Sequence, residues 1–488
     1  MKVSLINPPI LDRRGNFTYS VGLPLGLAYI AAYLLNEKID VQVIDAVGDG
    51  LSTRKGFKKK YVIIGMPFES IVNKIHKKTD LIAVSVKYCT QHNIAIMLIA
   101  EIRRRFPKTP IVVGGNQCTY HYNDFLDEGV DFVVLGEGER ALYDICRYLE
   151  KKVKLKDISG VAYRKGRQTI VNKSEFIDDL DSIPFPARHL FPLDKYAREK
   201  TGFGPTNNIS TSIVSSRGCP YKCSYCTSSI FWGRRWRARS PKNVVDEIEE
   251  CVVKYGIREL FFIDDNLTLD KERAKEIFRK IIHRGIKITW GATNGVRVEN
   301  IDDEMIRLMK SSGCIHLTFA PESGSQRVLQ EIYNKNVDLE KIRLTIKKCN
   351  DAGINTAAYI IIGSLGETEK DALLTCDYIK QLAKAGVDEI GVFPMIPYPE
   401  SDIARRYEMD KIKPEWEELI TGVIPAWYPN YDKVRKLKKR LYIAFYLNQC
   451  IHHPGKPFRL LKNFLIGKQE TKSDRILRNF MRFLFRHD

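Results

Sequence analysis

The chain has 488 residues, 44% of them hydrophobic and 28% charged, with a formal net charge of +19. That is material for about three domains with real cores, which excludes wholesale disorder. No apolar run approaches the ~18 residues needed to span a bilayer, and the positive balance invites a partner of negative sign. Met1 to Asn7 opens as a buried strand, without the charged-then-apolar pattern of a secretory leader, so a cytoplasmic protein is expected. Val3 to Ile6 is read as the first strand, ended by the turn Asn7-Pro8-Pro9. Gly26 to Leu35 is read as a helix, Val41 to Ile44 and Leu81 to Val86 as strands, and His92 to Phe106 as a helix. Ile111 to Val113 then runs into Gly114-Gly115, and Phe132 to Leu135 into Gly136-Glu137-Gly138-Glu139. Strands that are apolar throughout and separated by helices imply a parallel sheet covered on both faces. Residues 1–150 therefore form a doubly wound, Rossmann-like α/β domain. Its glycines stand at strand C-terminal ends, where open sheets bind ligands. A tight turn explains Gly-Gly equally well.

Residues 151–205 read as a connector. Ile158 to Arg164 and Gln168 to Val171 form a hairpin, and Ile183 to Arg188 is extended because each proline drives its predecessor out of the helical region. Residues 206–400 carry six strand–helix repeats, with strands at Ser212 to Ser216, Leu260 to Ile263, Ile288 to Ala292, His316 to Phe319, Thr356 to Ile362 and Glu389 to Phe393. Repeated parallel units with right-handed crossovers curl into a barrel or part of one, here a partial (β/α)6 barrel. Residues 401–488 form a basic, mostly helical region. From Tyr431 onward there are 15 Lys and Arg against 4 Asp and Glu.

Directly after the first barrel strand comes Cys219-Pro220-Tyr221-Lys222-Cys223-Ser224-Tyr225-Cys226, a C-x3-C-x2-C loop. Thiolates are soft ligands suited to iron–sulfur clusters, and this spacing lets one loop wrap one cluster. Three thiolates leave one iron without a protein ligand, and an open metal position is where chemistry occurs. The alternatives are a zinc knuckle, which lacks a nearby fourth ligand, and unligated thiols. The remaining cysteines stand singly among apolar neighbours, as reduced core residues do. Asp264-Asp265-Asn266, Pro321-Glu322-Ser323-Gly324-Ser325, Gly363 to Thr368 and Pro394 to Pro399 follow later strands and face the same mouth. Helix capping accounts for Asp265 or Ser323 as well as ligand binding does. A ligand bearing an ammonium, a ribose and an adenine needs such carboxylates and hydroxyls.

The cysteine loop resembles that of the radical S-adenosylmethionine (SAM) superfamily. The series Asn7-Pro8-Pro9, Gly22 to Ala31, Gly114-Gly115 and Gly136-Glu137-Gly138-Glu139 resembles the cobalamin-binding domain that precedes many radical SAM cores. The resemblance spans roughly residues 1–401. It implies that Cys219, Cys223 and Cys226 bind a 4Fe–4S cluster whose open iron chelates SAM, that Tyr225 lies against the adenine, and that Glu322 and Ser323 contact the amino group or ribose. It further implies that Gly363 shapes the adenine slot and that Asp265 adds a polar contact. Cobalamin would meet Asn7, Pro8, Ser85, Gly114, Gly115, Gly136 and Glu137. The Asp-x-His-x-x-Gly cobalt motif is missing, so neither His92 nor His121 is expected on the metal. Tyr398-Pro399-Glu400-Ser401 also departs from the Pro-Gly-Thr often found after the sixth strand.

The reaction implied is reductive cleavage of SAM followed by methyl transfer through cobalamin to an unactivated carbon. Oxidative cyclisation without methyl transfer is the alternative within enzymes, and a cobalamin or cluster sensor without turnover the alternative outside them. An external electron donor such as a flavodoxin or ferredoxin is required. Near the C-terminus Arg475, Arg478, Arg482 and Arg486 recur at helical spacing opposite Ile476, Leu477, Phe480, Met481 and Leu484. A basic amphipathic helix of this kind reads as membrane-surface binding, with an apolar or lipid-like small-molecule substrate, or as a helix packed on the barrel. No nucleic-acid-binding motif accompanies the charge, and no nucleic acid is expected.

Overall fold

Val3, Leu5 and Ile6 are fully buried in strand β1 (Lys2–Asn7), which pairs in parallel with β2 (Asp40–Asp45) on one side and β3 (Leu81–Ser85) on the other. Beyond β3 follow β4 (Ile111–Gly114) and β5 (Phe132–Val134), also parallel, giving the order β2-β1-β3-β4-β5. The chain moves one way from β1 to β2 and the other way from β3 onward. Right-handed crossovers therefore place α1 (Leu25–Asn36) and α2 (His92–Arg105) on opposite faces. The order reverses between β1 and β3, and the carboxyl ends of those strands form the crevice where sheets of this kind take ligands. On one face Ala95, Leu98, Ile99 and Ile102 of α2 pack against Val84 and Val113.

The computed structural model describes residues 1–15, 20–200, 202, 204, 206–412 and 414–485. Two units emerge, one of residues 1–16, 21–199 and 415–420, the other of 17–20, 200–414 and 421–488. The predicted hairpin is present as β6 (Val161–Lys165) and β7 (Gln168–Val171). It does not stand apart as a connector: β6 pairs antiparallel with β5 and widens the first sheet. Residues 415–420, distant in sequence, join the first unit through Asn93 Nδ2, which donates to Glu417 Oε1 at 2.9 Å, and Trp416, which stacks on His92. Ile10–Arg13, Arg54–Phe57 and Tyr61–Ile64 form a small antiparallel sheet. The sequence reading missed it, because four-residue strands show too little alternation to be recognised.

In the second unit six parallel strands pair strictly in chain order: β8 (Ser210–Ile213), β9 (Glu259–Phe262), β10 (Thr289–Val296), β11 (Cys314–Glu322), β12 (Asn355–Ile362) and β13 (Glu389–Pro394). The helices between them have clear local causes. Helix α3 (Pro241–Tyr255) starts with Ser240 accepting from Asn243 N and with Pro241 in its first turn, and ends at left-handed Gly256. Asp270, Asp302, Asp338 and Thr368 cap α4 (Lys271–His283), α5 (Asp303–Ser311), α6 (Leu339–Asp351) and α7 (Glu369–Lys384) in the same way. The capping duty considered for Asp265 thus falls to Asp270.

The C-terminal helices α8 (Tyr431–His452), α9 (Gly455–Ile466) and α10 (Lys472–Phe485) pack on this unit. Of the arginines expected on the basic face of α10, the first is turned inward. Arg475 is only 2% exposed and donates to Gly202 O at 2.7 Å, while Ser473 N donates to the buried Glu389 at 3.1 Å. Packing on the barrel is therefore the arrangement present. The side chains of Phe480, Arg482 and Leu484, and all of Arg486, lie outside the described residues. Among the described residues no helix is long and apolar enough to cross a membrane.

Candidate functional site

The cysteine loop leaves the C-terminal end of β8, and its first turn is fixed by a buried carboxylate. Asp264 accepts from Ser215 N at 3.1 Å, Ser215 Oγ at 2.7 Å and Ser216 Oγ at 2.6 Å. Gly218 then takes φ +91°, and a Cβ there would lie 2.1 Å from Arg235 O, so only glycine lets the loop pass that backbone. Trp232 lies beneath the guanidinium groups of Arg217 and Arg237, and Trp236 beneath that of Arg273. Arg273 also donates to Ser215 O at 2.6 Å and Arg239 O at 2.8 Å. Arg239 in turn forms a buried ion pair with Glu247. The two tryptophans and their arginines thus brace the cluster loop. Farther along, Ser224 N donates to Tyr333 O at 2.9 Å, Ser224 Oγ to Ile332 O at 2.6 Å, and Asn334 Nδ2 to Lys222 O at 3.0 Å.

Held this way, Cys219, Cys223 and Cys226 are half-buried and none is in a disulfide. Burial pushes the Cys219 thiol upward, and the charges of Asp265 and Cys223 push the same way, against the Tyr221 N–H and Arg297. Asp265 therefore stands within electrostatic reach of the first cysteine. Among the described residues no three metal-binding side chains converge as they would on a single ion. That is compatible with a cubane, whose thiolates sit on separate irons and spread more widely than the ligands of one ion.

Behind the loop Tyr225 and Glu322, both expected at the site, meet a lysine the sequence did not reveal. Tyr225 OH donates to Glu322 Oε1 at 2.8 Å, and Lys335 Nζ donates to the same oxygen at 3.0 Å and to Ala320 O at 2.6 Å. The side chains of Glu322 and Lys335 are each 8% exposed. Glu322 takes φ +65°, a strained conformation for a residue with a side chain, at an irregularity in the β11–β12 pairing. The two hydrogen bonds hold it there. Lys335 escaped sequence reading because Asn334-Lys335-Asn336 resembles any polar turn.

Two residues expected at the cofactor are engaged within the protein. Ser323 is fully buried, shares a hydrogen bond with Thr375 Oγ1 at 3.1 Å and accepts from Ser325 N at 3.1 Å, so its hydroxyl joins the strand end to α7. Gly363 has no free polar group. Its N–H donates to Glu367 at 2.6 Å, its carbonyl accepts from Tyr407 and Tyr428, and a Cβ would lie 2.7 Å from Val434. The room its missing side chain leaves is filled by α8. Asn266, by contrast, is 2% exposed with neither amide atom hydrogen-bonded. An orphaned amide at the end of β9 fits a polar ligand at the mouth.

In the first unit Asn7, Ser85, Gly114 and Gly136 stand at or just beyond the carboxyl ends of β1, β3, β4 and β5. Asn7 donates to the buried Asp45 at 2.7 Å, and Pro8 O accepts from Gln91 at 3.5 Å. Gly115 (φ +120°) passes so close to Val86 O that a Cβ would lie 2.5 Å from it. Glu137 is buried and accepts from Ile177 N at 2.7 Å, which ties down the following segment. The half-exposed Ser85, on the β3 side of the switch point, and its sheet neighbour Gly114 on β4 are the parts free of bulky side chains and fit a large planar ligand. His92 is buried, bonded at Nδ1 to Gln117 at 2.9 Å, and depressed to about 4 chiefly by burial. It is a packing histidine under Trp416.

Comparison with known proteins agrees with this geometry. The radical SAM superfamily matches residues 213–379 and the B12 binding domain residues 18–145. An uncharacterized methyltransferase of Pyrococcus horikoshii is 30% identical over 458 residues, 92% of this chain and 93% of its own length. The anaerobic magnesium-protoporphyrin IX monomethyl ester cyclase of Rubrivivax gelatinosus is 25% identical over 91% of this chain and 77% of its own. The same fold occurs in the radical SAM methyltransferase TsrM of Kitasatospora setae, solved with cobalamin and a 4Fe–4S cluster. The TM-score is 0.66 at 18% identity, covering 82% of this chain and 76% of that one. Cysteine loop, barrel, switch-point sheet and a full-length relative together show that the chain belongs to the radical SAM superfamily, in its cobalamin-binding branch, which works with SAM, a 4Fe–4S cluster and cobalamin.

Proposed function

We propose that the protein transfers a methyl group to an unactivated carbon of an apolar, lipid-like small molecule. Cys219, Cys223 and Cys226 would hold the cluster. The observation that carries this reading is the placement of three half-buried thiols at the C-terminal end of the first barrel strand, on a loop anchored through its backbone and arginine braces. The bound cofactors supply one-electron cleavage of SAM and a transferable methyl group. The chain's own residues position and shield. Glu322, kept in place by Tyr225 and Lys335, offers a carboxylate oxygen beside the loop, and Asn266 an uncommitted amide.

Oxidative cyclisation without methyl transfer is the second reading, supported by the likeness to the Rubrivivax cyclase over most of both chains. A sensor without turnover has no observation in its favour. The electron would come from a flavodoxin or ferredoxin in the cytoplasm. Exposed Lys222 on the loop supports docking of an acidic donor, beside a cleft of about 610 Å3 whose Arg297 is paired with Glu299. The test is anaerobic reconstitution with iron, sulfide and hydroxocobalamin, then turnover with methyl-deuterated SAM. Methylation predicts 5′-deoxyadenosine and a deuterated methyl in the product. Cyclisation predicts the first without the second. A Cys223→Ala protein that still cleaves SAM refutes the cluster assignment.

A further inference from the structure

Helix α9 is turned inside out. Three of its four polar side chains face the protein: Lys456 Nζ and Arg459 Nη2 each donate to Asp388 Oδ1 at 2.7 Å, Arg459 also reaches Asn355 Oδ1 at 3.3 Å, and Asn463 is buried. Asp388, with its side chain 1% exposed, also accepts from Thr356 N at 2.8 Å, so the helix is keyed to the amino ends of β12 and β13. The consequence is that Phe458, Leu461, Leu465 and Ile466 point outward at 55–75% exposure. Leu447 and Ile451, at the outward-facing end of the adjoining α8, are 58% and 72% exposed. A helix on a soluble surface keeps its apolar stripe inward, and a large exposed apolar patch marks an interaction site.

We propose that this α8–α9 face is a docking surface for an anionic lipid bilayer. Charge selects the occupant. Helix α9 contains no acidic residue, and Lys436, Lys439, Arg440, Lys462 and Lys468 are exposed on α8, on α9 and just beyond it. The acids that follow are turned inward: Glu470 pairs with Lys468 and Arg459, and Asp474 caps the start of α10. Apolar side chains interleaved with lysine and arginine are what an anionic interface takes up. A second copy of the chain would bring the same positive charge against itself. Because α9 sits at the amino ends of the strands, the bilayer lies at the end of the barrel opposite its mouth. Docking therefore localises the protein and leaves the site open.

The experiment is sedimentation of the full chain with phosphatidylglycerol–phosphatidylcholine vesicles and with phosphatidylcholine alone. Phe458→Ser/Leu465→Ser and Lys462→Glu/Lys468→Glu are compared with the parent, alongside sizing by light scattering. The expected result is binding to the anionic vesicles that weakens with salt and drops at least tenfold in each variant. Melting temperature and SAM cleavage should stay at parental values, which separates this inference from the reaction assignment. Three results overturn it: no sedimentation with anionic vesicles, equal binding to both vesicle types, or a dimer in solution that the Phe458→Ser/Leu465→Ser change dissociates.

Discussion

Replacing Lys335 by methionine leaves the Glu322 carboxylate buried with Tyr225 as its remaining side-chain donor in the trio. The two charges meet at 3.0 Å with both side chains 8% exposed. At an effective dielectric of about 20 their attraction is roughly 5.5 kcal/mol. Part of that only offsets desolvation, and removing one partner of a buried pair costs about 3–5 kcal/mol. Lys335→Met should therefore destabilise by about 3–5 kcal/mol in urea unfolding of the reduced, anaerobic protein. Adding Glu322→Gln removes the stranded charge while keeping an oxygen for Tyr225 OH. The double variant should lose only about 1–2 kcal/mol, a coupling of roughly 2 kcal/mol or more. A single variant losing under about 1 kcal/mol, or a double variant losing the sum of both singles, would refute a buried, mutually dependent pair.

Gly218→Ala places a Cβ 2.1 Å from Arg235 O at a positive φ, and backbone cannot yield as a flexible side chain would. It should cost about 2–5 kcal/mol locally and show as a several-fold fall in iron and sulfide bound after reconstitution, measured against protein concentration. Glu367, raised to about 7 by burial while accepting from Gly363 N and Ser364 N, is penalised when charged. Its contribution to stability is greatest below about pH 4.5 and is lost as pH rises to about 7, by roughly 2–3 kcal/mol. Melting curves across that range should flatten in Glu367→Gln, and an unchanged slope would assign the pH dependence elsewhere. Arg239→Met breaks the buried pair with Glu247 and should cost about 3–5 kcal/mol. Its Trp fluorescence should shift as the brace beside Trp232 and Trp236 loosens.

Much of the fold was legible before any coordinates. All six barrel strands were placed within a few residues, and the helix read over His92 to Phe106 is present as His92–Arg105, because an apolar stripe through Ile94, Leu98 and Ile102 runs its length. The residues alone do not choose where one sequence pattern permits two directions. Ser323 and Gly363 carry the right chemistry for a ligand, yet α7 and α8 fill the space they face. Glu137 has the same character, turned toward Ile177. The arginines of α10 have the spacing of a solvent-facing stripe, and Arg475 is nonetheless drawn under the barrel by Gly202 O.

Spacing and periodicity are properties of the chain itself, so the three-cysteine loop, the alternating strands and helices and the excess of positive charge could all be read from the residues alone. Which side of a helix meets water, and which lysine partners Glu322, depend on elements far apart in sequence. Lys335 reaches Glu322 across a turn of 13 residues, and Asp388 reverses α9 from nearly seventy residues away. Only the assembled barrel brings those charges within a few ångströms, where burial makes their pairing decisive.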